Sequence, residues 1–356
     1  MQALKIGQII KERHFMALMR IANKIIGEGR APLMFAEEGQ ANQGNIEVAK
    51  SMCKTAASAG ADGIEFQLFL ADDMYVRDDP GHAIYKSREL SSTQIRELIA
   101  VSHDEGLICQ VAGLSPSIIE LSADAGADVF CVNATDLTNP EIIDAVAATG
   151  KPFWLATLMG TMEEIDWAVN YAISRCRSDI GLLHGQHVMS SDTTRGVPPE
   201  LLQLDCIELF KRRYGLVTGF VDHTATQFVP SIAVAKGAAL VMKHLAPEKN
   251  WQGPDWVVCL EPESWKDAKA MFDYTTKAGG ASKEISQAEF KDRSLHRRGI
   301  HTKAALAAGH KIASGDLVAL RPGKGGIDPR VIHDLVGRQV AHDLSAQHQL
   351  QPDDLT

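Results

Sequence analysis

VTGFVDHTATQFVPSIAVAKGAALVMKHL, residues 217–245, is the stretch on which the fold turns. Its two ends, 217–223 and 239–245, are short β-branched, aliphatic or aromatic runs, and between them 230–237 repeats apolar residues near the helical period. That is a strand, a helix and a second strand. Both strands are apolar nearly throughout, as strands covered on both faces are, and a helical crossover returns the chain so that the second runs parallel to the first. Each run also ends on polar residues, Asp222-His223 and Lys243-His244.

Working outward, the same unit recurs. Candidate strands at 33–37, 63–68, 108–112, 129–133, 153–157 and 180–185 bring the count to eight, and helical patterns lie at 45–59, 92–105, 115–125, 140–148, 162–174 and 200–213. Ser91-Ser92-Thr93 and Thr161-Met162-Glu163-Glu164 place hydroxyls where helices start. Eight such units predict a parallel (β/α)8 (TIM) barrel over residues 31–283, after an N-terminal extension and capping hairpin at 1–30. A doubly wound open sheet would place a Gly-rich phosphate turn after the first strand, and Gly39 and Gly44 lack that spacing. From 284 to 356 the texture changes to short β-type runs broken by Gly and Pro, which predicts a small C-terminal β-rich module. The last eleven residues, from Ala346, are polar and read as frayed.

Composition excludes several functions. The 356 residues are 45% hydrophobic and 23% charged, with 36 Lys+Arg against 45 Asp+Glu, a net charge of −9. No basic stripe offsets the acidic excess, so neither nucleic acid nor an anionic membrane is expected as a partner. No apolar run is long enough to span a membrane. Six cysteines without a C-x-x-C pair read as reduced thiols in a cytoplasmic protein.

In a barrel of this kind chemistry sits at the C-terminal ends of the strands. Those ends carry Glu37, Gln67, Gln110, Asn133, Thr157, His184, Asp222-His223 and Lys243-His244. His184 and His223 end neighbouring strands, where two imidazoles can share a divalent ion with positions open for water or substrate; the alternative is two hydrogen-bonded packing histidines. Strand alternation turns Asp222 away from His223, so it serves catalysis by orienting a neighbour. Only one of Glu37 and Glu38 can face the mouth, as a general acid/base or else as an exposed loop carboxylate. Lys243 and His244 share that ambiguity, and Lys243 is a candidate for holding an anion. Gly253-Pro254-Asp255 and Leu260-Glu261-Pro262 read as turn and helix-start signals. Arg321-Pro322-Gly323-Lys324-Gly325 is a cationic turn.

Taken in order, the motifs resemble the N-acetylneuraminate (sialic acid) synthases and their legionaminic and pseudaminic acid relatives. The matching segments are 22–29 leading into Ala36-Glu37-Glu38-Gly39, then 59–63 with Phe66-Gln67, Leu137-Thr138-Asn139 and 161–165. They continue with Leu182-Leu183-His184, Asp222-His223-Thr224, Lys243-His244, Gly253-Pro254-Asp255, 260–262, Arg297-Arg298 and Arg321-Pro322-Gly323. The resemblance implies a C-terminal antifreeze-like (SAF) domain after the barrel and a domain-swapped homodimer. It implies condensation of phosphoenolpyruvate with an N-acyl amino sugar aldehyde, assisted by a divalent metal, Mn²⁺ first, with Mg²⁺, Co²⁺ or Zn²⁺ as substitutes. Carried over residue by residue, His184 and His223 become metal ligands and Glu37 and Asp222 the catalytic carboxylates. Gln67, Asp136, Gln186, Lys243, Asp255 and Arg321 become substrate-binding residues.

The chain departs from the family around the phosphoenolpyruvate pocket. Lysines of the family pattern are replaced by Glu65, Leu70 and Cys131, and its sugar loop by 186–195. Glu65 repels a trianion. Arg195, Lys243 and Lys324 are candidates to replace the lost cations. Two other readings follow: a metal-dependent aldolase, lyase or isomerase on a carbonyl compound that does not use phosphoenolpyruvate, or a non-catalytic sugar-binding homologue.

Overall fold

All eight runs form strands, and they close. In this computed structural model, which describes residues 17–176, 179–188, 196–280 and 282–356, a hairpin of β1 (Leu18–Ile21) and β2 (Lys24–Gly27) comes first. The barrel strands follow as β3 (Leu33–Glu37), β4 (Gly63–Leu68), β5 (Ile108–Gly113), β6 (Val129–Val132), β7 (Phe153–Ala156), β8 (Ile180–Gly185), β9 (Val217–Asp222) and β10 (Leu240–His244). Each pairs parallel with its neighbours in chain order, and β10 returns to β3, so no edge remains exposed. Helices α1 (Ile46–Ser58), α2 (Ala71–Met74), α3 (Pro80–Lys86), α4 (Ser92–Asp104), α5 (Pro116–Asp124), α6 (Pro140–Ala148), α7 (Met162–Arg175), α8 (Cys206–Tyr214), α9 (Val229–Ala235) and α10 (Pro262–Ala278) fill the crossovers. The expected cap signals are used. Ser91 with Gln94, and Thr161 with Glu164, form reciprocal capping boxes at α4 and α7.

Alternation along the strands divides the apolar residues into two cores. Leu33, Phe35, Ile108, Ala112, Val129, Cys131, Trp154, Leu183, Val221 and Met242 fill the barrel interior. Their neighbours one position away, such as Met34, Ile64, Phe66, Phe130, Leu182, Phe220 and Val241, pack against the helices instead. Met19, Ile21 and Ile26 of the hairpin join the interior core beside the first residues of the strands, so the hairpin plugs the end opposite the strand tips.

The chain divides into two compact units, Met1–Gly279 and Gly280–Thr356. The second begins with α11 (Gln287–His296) and contains the antiparallel pair β11 (Gly299–Thr302) and β12 (Leu317–Leu320) around its own core of Ile300, Leu306, Ile312, Leu317, Leu335, Val340, Leu344 and Leu350. Its tail is not frayed. Leu350 is fully buried, exchanging backbone hydrogen bonds with Ile300 and Ile327, and Asp354 is paired with His342 and His348. The polar composition hid two apolar anchors: Leu350, tied to Ile300 of β11, and Leu355, which packs on the same core. Among the described residues no two cysteines form a disulfide, and no helix is long and apolar enough to cross a membrane.

Leu350→Ala leaves a cavity in this small core, and we expect it to lower the unfolding free energy of the C-terminal unit by about 2–5 kcal/mol. Denaturant melts monitored by hydrogen exchange check this; unchanged protection of β11 refutes the anchor.

Candidate functional site

At the strand tips a cavity of about 420 Å³ opens from the barrel. Register places its key residues side by side: β10 pairs with β3 so that His244 lies beside Glu37, and β3 pairs with β4 so that Glu37 lies beside Glu65. His223 follows Asp222, the last residue of β9, and its ring centroid is 5.1 Å from that of His244. Ligand atoms of Glu37, His223 and His244 all fall within 4.8 Å of one another. Glu37 Oε2, His223 Nδ1 and both nitrogens of His244 are buried without a hydrogen-bond partner, an expensive arrangement unless something else binds there. Gly39, at φ +55°, makes room: a Cβ there would lie 2.5 Å from His244 Nδ1.

The electrostatics follow from burial. Desolvation pushes His244 down to about 3, and it drives His223 in the same direction, so both rings are neutral with free lone pairs. Desolvation first, and then the neighbouring Glu65 charge, holds the Glu37 carboxyl well above the usual range. Burial likewise lifts Glu65 to about 7, although Gln110 Nε2 donates to its Oε2. Gln67 Nε2 donates to Glu37 Oε1 at 3.3 Å, leaving Oε2 as the free oxygen. Glu38 turns away and accepts from the backbone N–H groups of Gln40 and Asn42, pinning the loop after β3.

Of the expected site residues, Glu37, His223, Gln67 and Asp255 line this cavity. His184 does not. Leu183 belongs to the interior core, so the next residue faces the helices: the His184 ring packs edge-on against Phe210 at 5.6 Å, and its Nε2 meets the Leu202 carbonyl at 3.0 Å. The structure therefore places His184 in a packing position outside the cavity, and it is His244 that lies beside His223. Asp222 turns away from His223, as strand alternation predicts, and Lys243, expected to hold an anion in the site, turns outward with it. There they form a fully buried ion pair of 3.1 Å, and Lys243 Nζ donates to the Thr224 carbonyl. Neither lines the cavity. Asp136 is occupied in its own loop, accepting from Asn139 at 2.8 Å and Thr135 at 3.1 Å. Gln186 is half-buried, and a ring nitrogen of His223 is hydrogen-bonded to its backbone. Arg321 is exposed in the C-terminal unit, as is Lys324, and Arg195 lies outside the described residues.

Three contributors carry no role assigned from the residues, although His244 stands among the polar residues at the strand tips. His244 takes the role expected of His184, and the interior parity of Leu240 and Met242 is the signal that points to it. His187 and Arg88 also line the cavity, and no strand pattern announces either. Among the described lining residues Arg88 is the sole Lys or Arg, against the acids Glu37, Glu65 and Asp255.

The sequence profile of the NeuB family matches residues 52–284. An uncharacterized Methanocaldococcus jannaschii protein is 28% identical over 341 residues, covering 96% of this chain and 99% of that protein. The N,N'-diacetyllegionaminic acid synthase of Legionella pneumophila is 28% identical over 338 residues, covering 90% and 93%. Among solved structures, the N-acetylneuraminic acid synthetase of Leptospira borgpetersenii superposes with a TM-score of 0.71 at 23% identity, covering 79% of this chain and 96% of that one.

Two expectations separate structural from functional residues. Lys243→Met strands the buried Asp222 charge and should destabilise the barrel by about 3–5 kcal/mol; a substrate-binding lysine would instead raise KM at unchanged stability. For His184, burial holds the ring below its ordinary 6.5. The unfolded chain then binds more protons than the folded one below that value, so this contribution is full at higher pH and lost as pH falls through 6.5. His184→Leu should flatten the acid limb of the melting-temperature profile, and an unaltered limb refutes the assignment.

Proposed function

This chain belongs to the NeuB family, and from that premise we propose that it condenses phosphoenolpyruvate with a sugar-type aldehyde of the N-acyl amino sugar class, giving a 2-keto-3-deoxy acid. It is a carbon–carbon bond-forming synthase of the sialic acid synthase type. The observation that carries the reading is the convergence of Glu37, His223 and His244, with their unpartnered buried atoms, at the barrel mouth.

The donor set fits a divalent ion. Two neutral imidazoles and a carboxylate suit Mn²⁺, Co²⁺ or Zn²⁺ better than Mg²⁺, and Mn²⁺ is the first choice. When bound, the ion supplies Lewis-acid polarisation of the aldehyde oxygen. The chain's own residues do the rest. Gln67 fixes the plane of the Glu37 carboxyl so that Oε2 faces the reacting centre. Asp255, a half-buried acid on the same wall, accepts from sugar hydroxyls, and Tyr75 and Tyr85, 5.0 Å apart, offer apolar ring surface. Arg88 is the cation on hand for the anionic donor. The same reading makes the C-terminal unit an antifreeze-like domain, the assembly a domain-swapped homodimer that offers Arg321 to the partner's substrate, and the location cytoplasmic.

One observation favours a second reading. Glu65 stands at the cavity floor with Gln110 donating to it, and Cys131 lines the same wall. A carboxyl there opposes a phosphate and accommodates a neutral or less charged carbonyl compound, as an aldolase or lyase would use.

With Mn²⁺ we expect phosphate release from phosphoenolpyruvate in the presence of one acceptor from a panel of aldoses and N-acylhexosamines. His223→Ala and His244→Ala should abolish it, and His184→Leu should not. No release across the panel sinks the condensation, whereas tight phosphoenolpyruvate binding by calorimetry sinks the second reading.

A further inference from the structure

One imidazole at the mouth lies outside the Glu37, His223 and His244 cluster. The barrel strand that carries His184 ends at Gly185, and His187 follows two residues later in the loop. His187 lines the cavity, and its ring lies 5.3 Å from that of His223, close to perpendicular at 74°. The His223 and His244 rings are 5.1 Å apart. With metal–nitrogen bonds of about 2.1 Å, two imidazoles on one ion have ring centroids roughly 4.5–6.4 Å apart, from right-angle to opposed coordination. Both separations fall inside that window. The His187 ring nitrogens lie outside the group whose ligand atoms fall within 4.8 Å of one another, and because the side chain is exposed, packing does not oppose a rotation that would aim one of them at the cluster.

We propose that His187 is a third imidazole ligand, so that this chain holds its ion with His187, His223, His244 and Glu37. This rests on the reading of the Glu37, His223 and His244 cluster as a metal site. Four protein ligands on an octahedral ion leave two positions for substrate oxygens. Asp255 is the carboxylate on hand to accept from the second ring N–H of His187, the arrangement that fixes tautomer and orientation in histidine metal sites. A third imidazole also moves the preference further from Mg²⁺ towards Co²⁺ and Zn²⁺.

The full-length protein is stripped of metal and titrated with Co²⁺ and Mn²⁺ by calorimetry, and the imidazole nitrogens on bound Mn²⁺ are counted by pulsed electron paramagnetic resonance. The expected result is three coupled imidazoles in the unmodified protein and two in His187→Ala, with affinity lowered at least about tenfold. Because His187 is exposed, an unchanged melting temperature of the metal-free variant establishes that it folds. Equal affinity and equal nitrogen counts in the two proteins overturn the proposal, as does a weaker affinity with an unchanged count, which places His187 outside the coordination shell. His223→Ala separates this from the underlying reading. If it binds metal like the unmodified protein, the cluster is not the metal site; if it loses the ion while His187→Ala does not, only the third ligand fails.

Discussion

Side chains on eight closed, parallel strands alternate between the barrel interior and the helical layer, and each functional assignment depends on that parity. At the tip of β9 and β10 the outward residues, Asp222 and Lys243, are neighbours in register and neutralise one another under the helices. The inward residues one step further, His223 and His244, meet at the mouth with Glu37. The same four polar residues shifted by one position would bury an ion pair in the pocket and hide two histidines in the wall. Closure of β10 on β3 is what brings His244 to Glu37, so the site exists only once the first and last strands have met.

The mouth is acidic, and among its described lining residues Arg88 is the sole Lys or Arg. Desolvation dominates the behaviour of Glu37, Glu65, His223 and His244 alike, favouring the neutral form of each. Neutral imidazoles beside carboxyls that resist ionisation are a poor resting state for a protein interior. They are a good one for a cation, whose charge compensates the carboxylates and occupies the lone pairs together. Glu65 and Cys131 line the same cavity as Glu37, His223 and His244, so the candidate metal cluster and an uncharged or acidic wall share one mouth. The fold belongs with the NeuB family.

Much of the architecture is legible in the order of the residues. Eight apolar runs of the right length, the crossovers between them and the hydroxyl caps at Ser91 and Thr161 are local features, and each acts through neighbours in sequence. The residues whose place differs from expectation have a common cause. His184 sits in Leu-Leu-His-Gly, a strand end like any other, and nothing in those residues tells which face it takes; Phe210 and the Leu202 carbonyl, 26 and 18 residues away, decide that. Leu350 is one of two leucines in a polar tail, and its backbone partners, Ile300 of β11 and Ile327, lie 50 and 23 residues away.

By itself the sequence determined the number and kind of elements, the parallel closure they demand, and the polar residues available at the strand tips. It also carried the motif order that places the chain among the sialic acid synthases. The tertiary structure alone decided which of those tip residues share the cavity. Periodicity of two leaves each strand a free choice of face, and that choice is made by the partners that pack on either side.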